Sequence, residues 1–590
     1  MAMEWILENL KEDFEEKRKE IKRETKEFVE KWKKREDYLK DPLALKEILE
    51  EYEKLVGKGI LNNKESYYFY LKLMLNESDP EIKARYNKSE DFLNEIMNEI
   101  NFIEINISKI PERYQEEMLK NQSLSKYKHF LENLFKKGKY FLSENEEKIM
   151  DLKRRGAYSS WVDMLSGFLS YEEKEIIDEN GEKITVNYSE IHNILKNKKS
   201  KMRDSALKAF NEIIKKYEDI AEAEINAILE NKKINDLLRG YKEPDESRHI
   251  EDEIEAEVVN ALIDAVSEKF EISKRFYQLK AKMLGFKKFK YEERQIEFDI
   301  NFDKRTLEED MDFVGKIFLK IDKEFYDIFN QISNEGNVDA LPKKGKKYGA
   351  YCIHSGKLPT YILLNHSGKL RDLQTIAHEF GHGINNELMK KENNYLNIGS
   401  PKSTAEVAST FMEDFVISEF LEKSKGEAKL NLMLQKLQEE ISTIIRQVAC
   451  YKFERELHKE YRQKGYLSKK EIGVIFKKNM KEYLGESFLD DEEMEKGWIY
   501  WPHIREYFYV YSYASGLLIS KALQRKYRDN PEYIKEIKKF LSAGTSKSPK
   551  EIFSEIGLDI SKKSFWEEGL KEISKLLDKT EKLAQELGKI

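Results

Sequence analysis

Apolar residues recur at helical spacing along most of this chain. Across residues 10–36, and again across 251–282, they fall at helical spacing among dense Lys and Glu. That pattern predicts amphipathic helices whose charged faces are solvated and laced by i,i+4 pairs. Short apolar runs bounded by turn residues are fewer. Those at 296–302 and 348–365 are expected as strands, and a hairpin is expected across 176–186, turning near Glu179-Asn180-Gly181. Only ten prolines interrupt 590 residues, against about thirty at ordinary usage, so long helices meet few breakers. The expected fold class is mostly α, with little sheet. No repeat of fixed period stands out and no low-complexity linker separates domains, although the length suffices for several cores.

One segment carries chemistry that periodicity alone does not require. In Ile376-Ala377-His378-Glu379-Phe380-Gly381-His382-Gly383, two histidines four residues apart project from one face of a helix, with a glutamate beside the same opening. With nine histidines in the chain, a random match is expected in roughly one or two of a hundred such sequences. The apolar approach from Leu373 to Ala377 follows a loop-like His366-Ser367-Gly368-Lys369, the context such a site needs. His378 and His382 are therefore candidate zinc ligands and Glu379 a candidate general base; the bland alternative is a helix bearing two unrelated histidines.

A catalytic zinc site needs a third protein ligand and one open position. After the turn-rich Gly399-Ser400-Pro401, where Ser400 could cap and Pro401 could open a helix, the next helical run begins. A carboxylate early in that run can return to the level of the histidines, and Glu406 fits. Ser403-Thr404-Ala405-Glu406 also matches a capping box, in which Glu406 would only satisfy a helix start. Spacing leaves both open. Glu413, two turns further on nearly the same face, could orient a ligand histidine or simply face water. Near the C-terminus, Tyr507, Tyr509, Tyr511 and Tyr513 alternate, while Tyr507 and Tyr511 are i,i+4 neighbours if helical. A packed aromatic stripe is the default reading of so many tyrosines.

His378-Glu379-Phe380-Gly381-His382, followed by Ala405-Glu406-Val407-Ala408-Ser409-Thr410-Phe411, resembles oligoendopeptidase F, a branch of the thimet oligopeptidase and neurolysin zinc peptidases. The likeness continues in Gly349-Ala350-Tyr351-Cys352, in Pro359 through Asn365, and in Trp501-Pro502-His503 through Tyr513-Ala514-Ser515-Gly516. Weaker similarity, including Leu142-Ser143-Glu144 and Arg239-Gly240-Tyr241, covers most of the chain from about residue 110. The resemblance implies a two-lobed helical zincin with a deep substrate channel and a small β-sheet next to the zinc-binding helix. It implies one zinc per chain, held by His378, His382 and Glu406, with Glu379 as base and then acid. His503, Tyr507 and Tyr511 are the implied partners of the substrate carbonyl and its transition state, although the loop after His503 is shortened to Ile504-Arg505-Glu506, which unsettles the tyrosine register. It also favours the run Tyr361 to Asn365 as the strand edge that receives an extended peptide; His354 and His366, flanking it, are surface or cleft residues at best. Domains are expected at 1–190, helical lid and channel wall, and at 191–590, the catalytic part, with the zinc helix at 370–390 and the tyrosine-rich segment at 501–516.

The implied function is zinc-dependent endopeptidase cleavage of short unstructured oligopeptides. A metallocarboxypeptidase or dipeptidyl carboxypeptidase of the same clan is the alternative, and a non-catalytic helical scaffold a second. Zinc is favoured over manganese or cobalt by ligand type and family. A net charge of −7 with interspersed signs argues against a nucleic-acid surface, since no basic stripe survives its neighbouring acids. No apolar stretch approaches the roughly 20 residues that span a bilayer, and the N-terminus opens into an acidic helix instead of a signal sequence. Cys352 and Cys450, distant and unpaired in pattern, fit a reducing cytoplasm.

Overall fold

A computed structural model describes residues 3–298 and 304–590, the side chain of Glu144 excepted. Helices dominate, as the periodicity predicts, and local signals explain where they start. Asp13 accepts from the Glu16 amide at the head of Phe14–Trp32. Asp41 and Asp79 do the same ahead of Pro42–Val56 and Pro80–Ile100, each with proline in the first turn, where its missing N–H costs nothing. In Phe14–Trp32 the buried residues Ile21, Thr25, Phe28 and Trp32 fall on one stripe, as the heptad-like spacing requires. The charged region 251–282 resolves into Ala256–Ser267 and Glu271–Leu284. Among the described residues no helix is long and apolar enough to cross a membrane.

The chain forms two compact units, each drawn from three segments. One comprises Met1–Phe141, Phe302–Phe420 and Leu523–Asp559; the other comprises Leu142–Asn301, Leu421–Ala522 and Ile560–Ile590. The expected division near residue 190 is therefore not where the units part: distant segments pack together, which a linear search for linkers does not detect.

The first unit holds a core of N-terminal helices, centred on residues such as Trp32, Leu45, Ile48 and Leu131, and a second cluster in which Trp5, Tyr67 and Leu71 pack on Tyr361 and Leu363. Its sheet has three short strands in the order Val338–Asp339, Tyr361–Leu363, Tyr351–Ile353. The first pair is parallel and the second antiparallel, with Cys352 opposite Ile362. Tyr361–Leu363 is thus the central strand, fully buried and paired on both sides, and cannot offer a free edge to a peptide; Tyr351–Ile353 lies at the edge instead. The two-residue strand at 338 was too short to leave a period-two signal. The strand expected at 296–302 is absent from 296–298, and residues 299–302 lie outside the described residues.

The second unit is helical apart from one hairpin. Glu173–Ile177 pairs antiparallel with Lys183–Asn187, and the turn contains Gly181 at φ 91°, a left-handed conformation that glycine adopts without a Cβ clash. This is the hairpin expected from Glu179-Asn180-Gly181.

Candidate active site

The motif helix spans Leu370–Glu392. Its start is fixed by Asp372, whose carboxylate accepts from the Ser367 and Lys369 amides at 2.7 and 2.9 Å, placing negative charge at the helix N-terminus. Leu373, Ile376, Ala377, Phe380, Ile384 and Leu388 form its buried stripe. Phe380 is wholly buried with its ring 4.4 Å from that of Phe329, an anchor worth about 1.5–3 kcal/mol from burial. At the other end Lys390, buried, donates to the Leu358 carbonyl at 2.5 Å, to Thr360 Oγ1 at 2.8 Å and to Glu387 at 2.7 Å. The helix is thereby fastened to the segment leading into the central strand.

His378 and His382 emerge beside each other, ring centroids 5.0 Å apart. The facing carboxylate comes from Glu406, at the break between the one-turn helix Lys402–Ala405 and the helix Val407–Lys423. Glu406 closes the first of these and precedes the second, so the capping-box reading does not hold. Its carboxylate instead accepts from the Ser409 hydroxyl at 3.0 Å and stands 3.4 Å from His378 Nε2 and 3.5 Å from His382 Nε2. The short helix begins one residue later than expected, with Pro401 as its cap and no side-chain hydrogen bond there.

The close approach of these two segments explains Gly381. A Cβ there would stand 2.7 Å from Ser409 Cα and 2.9 Å from the Ala408 carbonyl oxygen, both backbone atoms that cannot swing aside. Only glycine lets the motif helix lie this near to the start of the Glu406 helix.

The three side chains fit a tetrahedrally coordinated zinc. With bonds of about 2.1 Å, tetrahedral geometry places ligand atoms about 3.4 Å apart, which is the separation of Glu406 from each imidazole. His378, His382 and Glu406 are the one cluster among the described residues able to hold a metal ion. Glu413 Oε2 lies 3.1 Å from His378 Nδ1, so Nδ1–H donates to that carboxylate and Nε2 is the nitrogen left to ligate a metal. Burial opposes a charge on His378, yet its contacts with Glu406 and Glu413 prevail and raise its pKa to about 10. At neutral pH Nε2 therefore also holds a proton, which a metal ion displaces on binding.

Glu379 lies between the histidines and is buried. Burial raises its pKa; His378 and His382 lower it, Glu406 raises it again, and a hydrogen bond from the Cys352 amide favours the ionised form. A carboxylate lifted toward neutrality is a better proton acceptor near pH 7 than an ordinary glutamate. Cys352 itself has its thiol pushed well above the usual range by burial, with the Glu379 charge adding to it. The sequence held no signal that the edge strand would place its amide on this carboxylate.

His366 differs from expectation. His366 is buried and bonded at 2.9 Å to Asp310, which also takes Arg305; it belongs to the interior, not to a cleft. His354 is half-buried, and burial, with the nearby Lys390 charge, lowers its pKa to about 4.

In the second unit the tyrosine register departs from the expected one. Tyr507 donates to the Ile228 carbonyl at 2.8 Å, and Tyr511, wholly buried, donates to Asp252 at 2.7 Å. Both hydroxyls are committed to the protein. His503 instead meets Tyr509, whose hydroxyl is 2.5 Å from His503 Nδ1 and 3.2 Å from the Tyr513 hydroxyl; all three side chains are partly exposed. The cause is a corner between the turn Pro502–Arg505 and the helix Tyr511–Asp529. Tyr507 and Phe508 both take left-handed φ, 47° and 60°, at a cost of about 1–3 kcal/mol each for non-glycine residues. A sequence reading that continues a helix through this segment cannot foresee such a corner.

A sequence profile of peptidase family M3 matches residues 193–572, and an oligopeptidase F profile matches residues 106–165. The chain is 25% identical over 584 residues to an oligoendopeptidase F homolog of Borreliella burgdorferi, covering 96% of this chain and 95% of that one. It is 24% identical to oligopeptidase PepF of Bacillus subtilis over 80% of this chain and 71% of the relative. Among solved structures, oligoendopeptidase F from Enterococcus faecium superimposes with a TM-score of 0.71 at 18% identity, over 97% of this chain and 99% of that one. PZ peptidase A with an inhibitor gives 0.74 at 16% identity, over 95% and 97%.

Proposed function

This chain belongs to peptidase family M3 and is a metalloendopeptidase, and from that premise we propose that it hydrolyses internal bonds of oligopeptides at one zinc held by His378, His382 and Glu406. The observation that carries the reading is the Glu406 carboxylate 3.4 and 3.5 Å from the two imidazole Nε2 atoms, the three ligand atoms all within 4.8 Å of one another, with Glu379 buried beside them. Zinc is preferred on the chemistry of two imidazoles and one carboxylate.

When bound, zinc supplies Lewis-acid polarisation of the scissile carbonyl and lowers the pKa of water toward about 7. Glu379 takes a proton from the attacking water and delivers it to the departing amine, acting as base and then acid. Glu413 holds His378 in the tautomer that ligates. His503 donates its Nδ1–H to the Tyr509 hydroxyl, which leaves the Tyr509 proton, with that of Tyr513, for the peptide carbonyl oxygen as it gains charge; the role goes to these two and not to Tyr507 and Tyr511, whose hydroxyl protons are taken by Ile228 and Asp252. Two free thiols, Cys352 and Cys450, support a reducing compartment such as the cytoplasm.

The test is digestion of an oligopeptide blocked by C-terminal amidation, with and without a chelator, the products mapped by mass. Internal cuts that vanish with the chelator and return with zinc are expected. A blocked peptide left whole while its free-acid twin loses C-terminal residues would overturn the endopeptidase reading. Glu379→Gln should keep one zinc per chain and lose about 10²–10⁴-fold in kcat.

A further inference from the structure

Glu253, Tyr507 and Phe508 are the non-glycine residues with left-handed φ among the described residues, and the peptide groups around Tyr507 and Phe508 are held by side chains from elsewhere in the unit. Arg248, on the short helix Glu246–Glu251 that runs into Glu253, donates from Nε to the Tyr507 carbonyl and from Nη2 to the Glu506 carbonyl, both at 3.3 Å. The same guanidinium lies 3.0 Å from Glu251 and 3.6 Å from Asp252. From the helix Arg446–Lys464, Glu454 accepts the Phe508 amide at 2.9 Å, and the His458 ring packs 4.7 Å from that of Phe508. The peptide groups on both sides of the left-handed corner are thus gripped by side chains from two other helices. A local chain preference would not hold this conformation, because two successive bulky aromatic residues disfavour it.

The corner decides where Tyr509 goes. One residue beyond Phe508, the chain has turned back so that the Tyr509 hydroxyl reaches His503, six positions earlier. Were the corner to relax into right-handed or extended backbone, that pairing would be lost while the helix from Tyr511 kept its own anchor on Asp252. Strain maintained by surrounding structure is characteristic of functional sites.

We propose that Glu454 and Arg248 are positioning residues for peptide hydrolysis, holding the Tyr507–Phe508 corner so that Tyr509 and His503 present their hydrogen-bonding groups together. The inference rests on the role given above to His503 and Tyr509. Glu454 is fully buried, one carboxyl oxygen has no protein partner, and burial lifts its pKa to about 8. A neutral acid at this position is matched in shape and acceptor capacity by glutamine, which supplies a conservative variant.

The experiment is a double-mutant cycle on the full-length, zinc-loaded protein, with kcat and KM measured on an internally quenched oligopeptide. Tyr509→Phe is expected to lower kcat about 10²–10³-fold, the effect of removing one oxyanion donor. Glu454→Leu should lower kcat at least about tenfold, with KM and zinc content unchanged, and Glu454→Gln should regain most of the loss. Because Glu454 acts through Tyr509, the combined Glu454→Leu and Tyr509→Phe protein should be no slower than Tyr509→Phe alone. Losses that multiply in the double variant, or a Glu454→Leu protein with undiminished kcat beside a depressed Tyr509→Phe, overturn the inference alone. An undiminished Tyr509→Phe overturns the role of Tyr509 and the inference with it. If Glu454→Leu does not fold, Arg248→Met, altered at a partly exposed side chain, takes its place in the cycle under the same expectations.

Discussion

Replacing Gly381 by alanine should loosen the metal centre without touching a ligand. The added methyl would lie 2.7 Å from Ser409 Cα, 2.9 Å from the Ala408 carbonyl oxygen and 3.1 Å from the Ser409 nitrogen. Ordinary contact begins at about 3.5 Å, so the two helices must separate by about 0.8 Å. Three residues from Ser409, at the head of the displaced helix, stands Glu406. Metal–ligand distances tolerate only about 0.2 Å, so a shift several times larger must distort the site or be resisted at the expense of folding. Overpacking of this kind costs about 1–3 kcal/mol. If it is transmitted to Glu406, zinc affinity falls at least about tenfold, or about 1.4 kcal/mol. The assay is competition for zinc against a chromogenic chelator, together with melting curves with and without the metal. The stabilisation added by a fixed zinc concentration should shrink by the same 1.4 kcal/mol or so. Parental zinc affinity and kcat in Gly381→Ala would refute the claim that the glycine sets the distance between the ligand-bearing segments.

Glu413→Ala, which removes the acceptor 3.1 Å from His378 Nδ1, should weaken zinc binding about 10–100-fold, with Glu413→Gln less affected; equal affinities in titration would remove Glu413 from the site. Acid stability offers an independent check on the second unit. His192 packs against Tyr188, Phe210 and Tyr500, and burial, assisted by the Arg294 and Lys196 charges, depresses its pKa to about 4. The unfolded chain takes up this proton near pH 6.5 and the folded one does not. Stability is therefore intact above about pH 6.5 and lost toward pH 4 at up to about 1.4 kcal/mol per pH unit. His192→Phe should flatten the fall of Tm over that window; an unaltered slope would mean that His192 charges freely in the folded protein.

The helical character, the motif helix and its chemistry were legible because they are local. Two histidines four apart share a helix face whatever surrounds them, and Asp372, Gly381 and the buried stripe from Leu373 to Leu388 lie within the same short stretch. The hairpin at Gly181 was readable for a similar reason, since its turn needs a residue tolerant of left-handed φ. Glu406 shows the boundary of such reading. Spacing allowed either a helix cap or a ligand, resemblance to a family favoured the ligand, and packing across Gly381 brought its carboxylate within 3.4–3.5 Å of both rings.

Other features were decided only when distant segments met. Tyr361–Leu363 looked like a strand but not like the central one, because strand order depends on Val338–Asp339 and Tyr351–Ile353 pairing on either side. His366 is interior because Asp310, fifty-six positions earlier, is there to receive it. The tyrosines beside His503 are Tyr509 and Tyr513, since Arg248 and Glu454 hold a corner that the segment would not adopt alone. Backbone geometry fixes which neighbours along a helix share a face, so that information survives in a linear reading. Which remote groups satisfy one another's hydrogen bonds is set by the packing of the whole fold, and no short-range pattern records it.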